Sequence, residues 1–358
     1  MDFASDNVAA CHPALMSALA AANEGAARPY GADPWTERLE ARVSELFERP
    51  ARVRLVATGT AANALTLACM TPPWSAVFCH EQAHIEQDEC GAPEFYTGGA
   101  KLVRLPGDGA KIDPEALERA LASAGGAVHH VQRGALSITQ ASELGAVYAP
   151  EEVARLCRLA RGHGVPVHMD GTRFANAVAR LGCAPADLTW RAGVDALCLG
   201  ATKNGGIAAE AVLMFEGGAL WDKAWEFELR RKRGGHLWSK SRFLAAQMLA
   251  MLEDGLWLRL AGHANAMADR LAAGLAALPG ATLSGPAAAN MLFPTLPRRA
   301  HRALRAAGAT YYDWPDDPTP DGAGDEPVGC RLVCSWATTP EQVDRFVDAA
   351  RGALARAG

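Results

Sequence analysis

The stretch DALCLGATKNGG, residues 195–206, joins an apolar, strand-like run to a lysine set among small residues. A short apolar run that ends at glycine is typical of a strand buried inside a parallel sheet. Lys203 follows this run, and an ammonium group is costly to place beside a buried strand end unless another group holds its nitrogen. The stretch therefore predicts a buried sheet and a lysine with a chemical task.

Similar apolar runs recur along the chain and alternate with helical patterns. Asp113-Pro114 marks one helix start, since aspartate caps a helix and proline suits its first turn. This alternation predicts an α/β fold with a mostly parallel central sheet that is covered by helices on both faces. The predicted strands are 52–57, 76–80, 101–105, 127–132, 165–169, 195–199 and 211–215.

The pattern changes after Phe243 to long helices, with strand-like runs near 289–295 and 330–335. The tetrapeptide TPEQ (339–342) is a capping box and predicts the start of a last helix. We therefore expect three parts: an N-terminal segment (1–27), a large domain (28–243) and a smaller C-terminal α+β domain (244–358). The uncharged stretch 271–297 is interrupted by glycine and proline, so it does not predict a membrane span.

The composition argues against several classes of function. With 358 residues, 49% of them hydrophobic, the chain can bury a large core. A net charge of -5 disfavours nucleic acids and anionic membranes as partners. The nine cysteines show neither a disulfide framework nor a zinc-site spacing. We therefore expect no catalytic metal, and reduced thiols in a cytoplasmic protein.

Three kinds of chemical group follow three of the predicted strands. Thr58, Gly59 and Thr60 follow the first strand at a helix start, where hydroxyls and backbone N–H groups bind anions. Asp170 follows the fifth strand and Lys203 follows the sixth. The carboxyl ends of parallel strands share one edge of a sheet, so these groups should be neighbours. The plain alternative is a helix cap and an Asp–Lys salt bridge.

Pyridoxal 5'-phosphate (PLP) presents one partner for each of these groups. Its phosphate suits the helix start. Asp170 would keep the pyridine nitrogen protonated, so that the ring withdraws electrons from a bound amino acid. Lys203 would form a Schiff base with the aldehyde, which suits an amine that loses its proton readily when desolvated. The three groups together predict a PLP enzyme with a small amino acid as its substrate.

Specific motifs extend this prediction over most of the chain. They are PYGAD (29–33), TGTAANAL (58–65), CHEQAHIEQDECGAPEF (79–95), SITQASELG (137–145), HMDGTRFANA (168–177), GATKNG (200–205) and RRKRGGHLWSKSRF (230–243). With these motifs the chain resembles the low-specificity L-threonine aldolases, which are PLP-dependent enzymes of the aspartate aminotransferase fold type I. The resemblance implies retro-aldol cleavage of L-threonine, L-allo-threonine and related β-hydroxy-α-amino acids, phenylserine included, to glycine and an aldehyde.

The resemblance also implies roles for individual residues. His84 would stack on the cofactor ring, and Ser5, Tyr30, Arg173 and Arg331 would bind the substrate. Tyr30 and the basic pair 232–233 would reach into a neighbouring subunit, so that the working unit is a homodimer with shared sites or a homotetramer. The cofactor-binding set as a whole would be Thr58, Gly59, Thr60, His84, Asp170, Arg173, Thr202, Lys203 and Arg233.

Two histidines, His84 and His129, are candidates for the base that takes the β-hydroxyl proton, because imidazole titrates near neutral pH. Asp88 or Glu89 could hold a water for that step. Some family members carry a histidine where this chain has Gln140, and an amide cannot be that base. β-Elimination, transamination and racemisation remain open, because they use the same cofactor groups. A non-catalytic relative that binds an amino acid is disfavoured by the lysine and the aspartate at the strand ends.

Overall fold

The computed structural model describes residues 1–285, 287–315 and 321–355. The chain forms two compact units, Cys11–Trp257 and a unit that joins Met1–Ala10 to Leu258–Gly358. Their boundary falls after Trp257, whereas we expected it after residue 243. The helix Arg242–Leu252 belongs to the larger unit because it packs on two helices of that unit. None of the described helices is both long and apolar enough to cross a membrane.

The larger unit is built around a seven-stranded sheet with the order β1-β7-β6-β5-β4-β2-β3. Strands β1 to β6 run parallel, and β7 is antiparallel to both of its neighbours. This confirms the mostly parallel sheet. The strands are β1 (Ala51–Val56), β2 (Ser75–His80), β3 (Lys101–Leu105), β4 (Gln132–Thr139), β5 (Val167–Gly171), β6 (Ala196–Gly200) and β7 (Glu210–Phe215).

The middle of this sheet is covered on both faces. Every residue of β2, β5, β6 and β7 is buried, which explains why their sequences are nearly continuous apolar runs. The helices of the larger unit are α1 (Pro13–Ala22), α2 (Pro34–Leu46), α3 (Gly59–Met70), α4 (His84–Gln87), α5 (Ala92–Thr97), α6 (Pro114–Ser123), α7 (Pro150–Gly162), α8 (Phe174–Leu181), α9 (Ala224–Arg233) and α10 (Arg242–Leu252).

The smaller unit contains an antiparallel sheet with the order β11-β12-β10-β8, and β9 pairs with β12. Phe3 lies in its core, which is why the first ten residues belong to it. The predicted capping box is confirmed, because Thr339 and Gln342 each donate a backbone N–H to the other's side chain. The elements are α11 (Leu256–Ala276), β8 (Thr282–Leu283), β9 (Met291–Leu292), β10 (Pro294–Pro297), α12 (Arg298–Ala306), β11 (Tyr312–Asp313), β12 (Pro327–Val333) and α13 (Pro340–Ala355).

One predicted strand is wrong. Residues 127–131 form a turn and connecting segment, and the strand begins only at Gln132. Gly134 lies inside β4, where an added Cβ would meet the Thr71 side chain and come within 2.6 Å of the Ala76 carbonyl oxygen. A residue that usually weakens a strand is thus required here by close backbone approach. The correction moves His129 out of the predicted strand to a position before the amino end of β4.

Candidate active site

The three groups expected to be neighbours do lie at one edge of the large sheet. The carboxyl ends of β1, β5 and β6 meet there, together with the amino end of the antiparallel β7. In the strand register, Glu210 at the start of β7 pairs with both Val56 and Gly200, the last residues of β1 and β6. This edge therefore brings together the start of α3, Asp170, Lys203 and one acid that we did not expect.

Asp170 is buried and is held by three hydrogen bonds. Its Oδ2 accepts from Asn63 Nδ2 at 2.8 Å, and its Oδ1 accepts from the backbone N and the Oγ1 of Thr172 at 3.0 and 2.7 Å. Burial raises the pKa of Asp170, but His84 and the Thr172 donors oppose this, and the net pKa lies below its ordinary value. Asp170 is therefore ionised at neutral pH, as a partner of a protonated ring nitrogen must be.

Asn63, on α3, links Asp170 to a second acid. The same Nδ2 donates to Glu89 Oε1 at 2.8 Å, and this oxygen also accepts from His84 Nδ1 at 2.8 Å. His84, Glu89, Asn63 and Asp170 thus form one hydrogen-bonded chain. The bond to Glu89 raises the pKa of His84 against the opposing effect of burial, and burial raises the pKa of Glu89.

A third acid lies beside this chain. Glu143 Oε1 accepts from the backbone N of His84 at 2.8 Å, and burial raises the pKa of Glu143 to about 7. Within the described residues, the second carboxylate oxygens of Glu89 and Glu143 are buried without a hydrogen-bond partner. Buried acceptors of this kind are typical of a site that a ligand or water completes.

Lys203 lies in the short 3-10 turn Thr202–Asn204 that follows β6. Asn204 fixes this turn, because its Nδ2 donates to the Trp257 carbonyl at 2.9 Å. Glu210 is buried nearby and accepts a hydrogen bond from Thr202 Oγ1 at 2.5 Å. Burial raises the pKa of Glu210 to about 7, although Thr202 and Lys203 act in the opposite direction.

The start of α3 provides the anion site. Thr58 is an ordinary N-cap, since its Oγ1 accepts from Ala61 N at 3.2 Å. Gly59 and Thr60 begin the twelve-residue helix, and the N–H groups of a first turn lack partners within the helix and face its positive dipole end. A Cβ added to Gly59 would lie 3.7 Å from Thr172 Oγ1, so this helix start lies directly beside the Asp170 loop.

Three further predicted residues lie elsewhere on the larger unit. Arg173 occupies the N-cap position of α8, directly after Thr172. Tyr30 has a side chain that is half exposed, and the Lys232 Nζ lies 5.1 Å from the centre of its ring. Arg233 ends α9 and is exposed. Tyr30 and Lys232 are therefore in contact, and Arg233 follows Lys232 directly in the chain.

Ser5 and Arg331 belong to the smaller unit. Ser5 Oγ accepts from Asn7 N at 3.1 Å at the start of a 3-10 turn. Arg331, on β12, donates from Nη2 to the Ala4 carbonyl at 3.2 Å. The guanidinium thus lies next to the residue that precedes Ser5, and the two side chains expected to act together come from adjoining backbone.

His129 does not join the site of its own chain. It is exposed in the turn before β4, at the amino edge of the sheet. Because β4 and β5 are parallel, with Thr139 opposite Asp170, the edge that holds Asp170 is the other one. The structure of one chain therefore does not bring His129 to this site, and its assignment as a base stays a prediction. Gln140 has a structural task, since its amide bonds both backbone groups of Tyr148, at 2.8 and 3.0 Å.

Some functional candidates escaped the sequence analysis. Asn63 is the single amide inside the apolar helix TGTAANAL, and Glu210 is the single charge at the head of the apolar run EAVLMF. A polar residue in such a setting needs a partner, and this signal could have identified both. Glu143 had no comparable signal, because it lies in a loop segment, where acids are common.

Comparison with known proteins agrees with this geometry. Residues 2–296 match the model of the beta-eliminating lyase family. The chain is 43% identical to the low specificity L-threonine aldolase of Pseudomonas aeruginosa over 341 residues, which cover 95% of this chain and 94% of that protein. It also resembles the solved threonine aldolase of Leishmania major, with a TM-score of 0.89, 29% identity and 99% coverage of both chains.

A more distant neighbour supports the fold. Serine palmitoyltransferase of Sphingomonas wittichii has a TM-score of 0.71 at 15% identity, with 99% of this chain and 86% of that chain covered. The fold is that of the PLP-dependent enzymes of the aspartate aminotransferase type I. This chain belongs to the beta-eliminating lyase family, in the branch of the low-specificity L-threonine aldolases, and is a PLP-dependent lyase.

Proposed function

We propose that this enzyme cleaves L-threonine, L-allo-threonine and related β-hydroxy-α-amino acids, phenylserine included, to glycine and an aldehyde. The observation that carries the proposal is the 43% identity to a low specificity L-threonine aldolase over nearly the whole chain. The hydrogen-bonded chain from His84 to Asp170 supports it, because it places a titratable imidazole beside an ionised carboxylate at the sheet edge where Lys203 lies.

The residues at this edge fit PLP. Asp170 would hold the ring nitrogen, Lys203 the aldehyde carbon, and Gly59, Thr60 and Thr202 the phosphate. Bound in this way, the cofactor supplies an electron sink for the bond that breaks at the substrate's α-carbon. Asn63 and Thr172 fix the Asp170 carboxylate with three hydrogen bonds, so its oxygens cannot turn away from that partner. We propose that Arg173, Thr58 and Arg233 also bind the cofactor.

We assign the proton transfer from the substrate's β-hydroxyl to His84, directly or through a water. An ionised Glu89 accepts only, so His84 Nδ1 carries the hydrogen and Nε2 keeps its lone pair in the neutral ring. The side chain of His84 is 37% exposed, which leaves the ring accessible to a small molecule. Its raised pKa brings it nearer to neutral pH, where a general base is most effective.

We propose that Arg331 and Ser5 bind the substrate's carboxylate. Arg173 and Tyr30 would also bind the substrate. A guanidinium binds a carboxylate through two parallel N–H groups and so fixes its rotation. That rotation decides which α-carbon bond is aligned for cleavage. Arg331 already bonds the Ala4 carbonyl next to Ser5, which supports a joint role.

The test of this function is a product analysis. The purified enzyme with PLP is incubated separately with L-threonine, L-allo-threonine and phenylserine, and glycine, free aldehyde and 2-oxo acid are measured. We expect glycine and aldehyde in equal amounts. Formation of 2-oxo acid and ammonia would favour β-elimination, and transfer of the amino group to a 2-oxo acid would favour transamination; either result would contradict the proposal.

The Glu89–His84 pair gives a pH-dependent prediction. His84 must be neutral to take a proton, so turnover rises as pH rises through its pKa. Glu89→Gln keeps an oxygen that accepts from His84 and Asn63 but removes the charge that raises the pKa of His84. We therefore expect the acidic limb of the kcat profile to move to lower pH, with kcat at its plateau about 10- to 100-fold lower.

The matched control is Glu86→Gln. Glu86 lies in the same segment but pairs with Arg104. Removing its charge should therefore leave the pH dependence of kcat unchanged. An unchanged acidic limb in Glu89→Gln, together with normal thermal stability, would contradict the assignment of His84 as the base.

Arg331→Ala tests the carboxylate site. We expect KM for threonine to rise about 10- to 100-fold, the size of a lost charge-assisted hydrogen bond, and kcat to fall as well because the substrate is misaligned. Arg331→Lys should recover little, since lysine lacks the planar fork. Arg345→Ala, an exposed arginine on α13, is the control. Unchanged KM values for threonine and glycine would show that another residue, with Arg173 the first candidate, holds the carboxylate.

We further propose that the enzyme is a homo-oligomer, a homodimer with shared sites or a homotetramer, and that it works in the cytoplasm. Support for the first comes from Tyr30 and Lys232, which are exposed and in contact, and from the exposed Arg233 that follows Lys232 on α9. Support for the second comes from the nine cysteines, which are all unpaired. Sedimentation of the purified enzyme, with and without PLP, tests the assembly.

A further inference from the structure

Glu210 and Thr202 form a buried pair whose hydrogen-bond direction depends on one proton. Thr202 Oγ1 lies 2.5 Å from Glu210 Oε1 and accepts from Ala209 N at 3.3 Å. A hydroxyl has one hydrogen to donate and two lone pairs. While Glu210 is ionised, Thr202 must give its hydrogen to that carboxylate. When Glu210 is protonated, the acid donates to Thr202, and the Thr202 hydrogen is released for another acceptor.

The surrounding backbone holds this pair in place. Glu210 is only 3% exposed and lies opposite Gly200 in the strand register. A Cβ on Gly200 would overlap the Glu210 carboxylate, so the glycine is required by this close approach. The carboxylate therefore cannot leave Thr202 by turning towards solvent.

The charges that face Glu210 bring its titration close to neutral pH. Burial is the largest effect and raises its pKa, Asp170 acts in the same direction, Lys203 opposes both, and the resulting pKa is about 7. Cys198, on the neighbouring strand β6, has a thiol whose pKa is raised well above its ordinary value by burial, so it stays neutral. Both states of Glu210 are thus populated under ordinary conditions.

We propose that Glu210 is a positioning residue that couples phosphate binding by Thr202 to the uptake of one proton. This rests on the proposed function, in which Thr202 contacts the cofactor's phosphate. A phosphate dianion offers only acceptors, so it gains a hydrogen bond from Thr202 only when Glu210 carries the proton. The arriving negative charge also favours protonation of a nearby carboxylate. Bound phosphate and protonated Glu210 therefore stabilise each other.

The experiment measures binding without turnover. Pyridoxamine phosphate keeps the ring and the phosphate but lacks the aldehyde, so Lys203 cannot capture it. Its Kd is determined by equilibrium dialysis against the apoenzyme between about pH 7 and pH 9, where the phosphate is already a dianion. We expect the Kd of the unmodified enzyme to rise by up to about tenfold per pH unit, as one linked proton requires.

In Glu210→Gln, Kd should lose the part of its rise with pH that Glu210 causes. The amide of the new glutamine donates a hydrogen bond to Thr202 at every pH. Its Kd should stay near the low-pH value of the unmodified enzyme. Glu216→Gln, an exposed acid just after the far end of β7, should follow the unmodified enzyme. Thr202→Val keeps the shape without the hydroxyl, so it should weaken binding, and Glu210→Gln should have no further effect in that background.

If the Kd for pyridoxamine phosphate rose equally with pH in the unmodified enzyme and in Glu210→Gln, the role of Glu210 would be overturned. The proposed function would not be affected. A difference between the two enzymes that persists with pyridoxamine, which has no phosphate, would overturn the role of Glu210 as well. Failure of every variant to bind pyridoxamine phosphate at any pH would instead contradict the proposed function, and the inference with it.

Discussion

Lys203→Ala is expected to abolish covalent attachment of PLP and to lower kcat by about a thousandfold or more, the scale of a lost nucleophile and proton carrier. Cofactor binding should weaken but persist, because Asp170 is held independently by Asn63 and Thr172, and the start of α3 is fixed by its own cap. The measurement is borohydride reduction followed by peptide mapping, together with a dialysis assay for bound PLP.

Lys101→Ala is the control for this experiment, since Lys101 is exposed at the start of β3. It should leave both labelling and turnover unchanged. Persistent labelling of the Lys203→Ala variant at another lysine would contradict the assignment. Loss of all PLP binding, with an intact fold, would show that the contacts of Asp170 and α3 are too weak to hold the cofactor without the covalent bond.

The parts of the site that the sequence predicts well are those tied to strand ends. Asp170 and Lys203 each follow an apolar run, and the parallel arrangement of these runs then brings both to one edge. The apolar runs are enough to predict this arrangement. Strands of a buried parallel sheet are nearly continuous apolar runs, and because they run in one direction, the polar residues that follow them lie at one edge.

The parts that the sequence could not predict depend on side-chain contacts across distant segments. Asn63 bonds both Glu89 and Asp170, which lie 26 and 107 residues away along the chain. No local pattern encodes such a bridge. The error in the predicted strand 127–132 has the opposite origin: Gly134 inside β4 weakens the strand pattern, and only the close approach of Ala76 explains it.

Asp170→Asn is the sharpest test of the electrostatic part of the mechanism. The substitution keeps the volume and removes the charge, so the ring nitrogen loses the anion that would keep it protonated. We expect kcat to fall about 100- to 1000-fold, the usual effect of deleting one preorganised electrostatic group. Asp170→Ala should lose at least as much and bind PLP more weakly. Asp187→Asn, a partly exposed acid paired with Arg191, is the control.

The hydrogen-bonded chain adds a second readout that a merely structural role would not produce. The Asp170 charge helps to raise the pKa of His84. Removing it should therefore move the acidic limb of the kcat profile to lower pH, in the same direction as Glu89→Gln. If the two substitutions act through one chain, combining them should shift the limb by less than the sum of the separate shifts.

Near-normal turnover in Asp170→Asn would contradict its role at the ring nitrogen. If turnover fell but the acidic limb stayed in place, Asp170 would act at the ring nitrogen without affecting the pKa of His84. The pKa of His84 would then depend on Glu89 and not on Asp170.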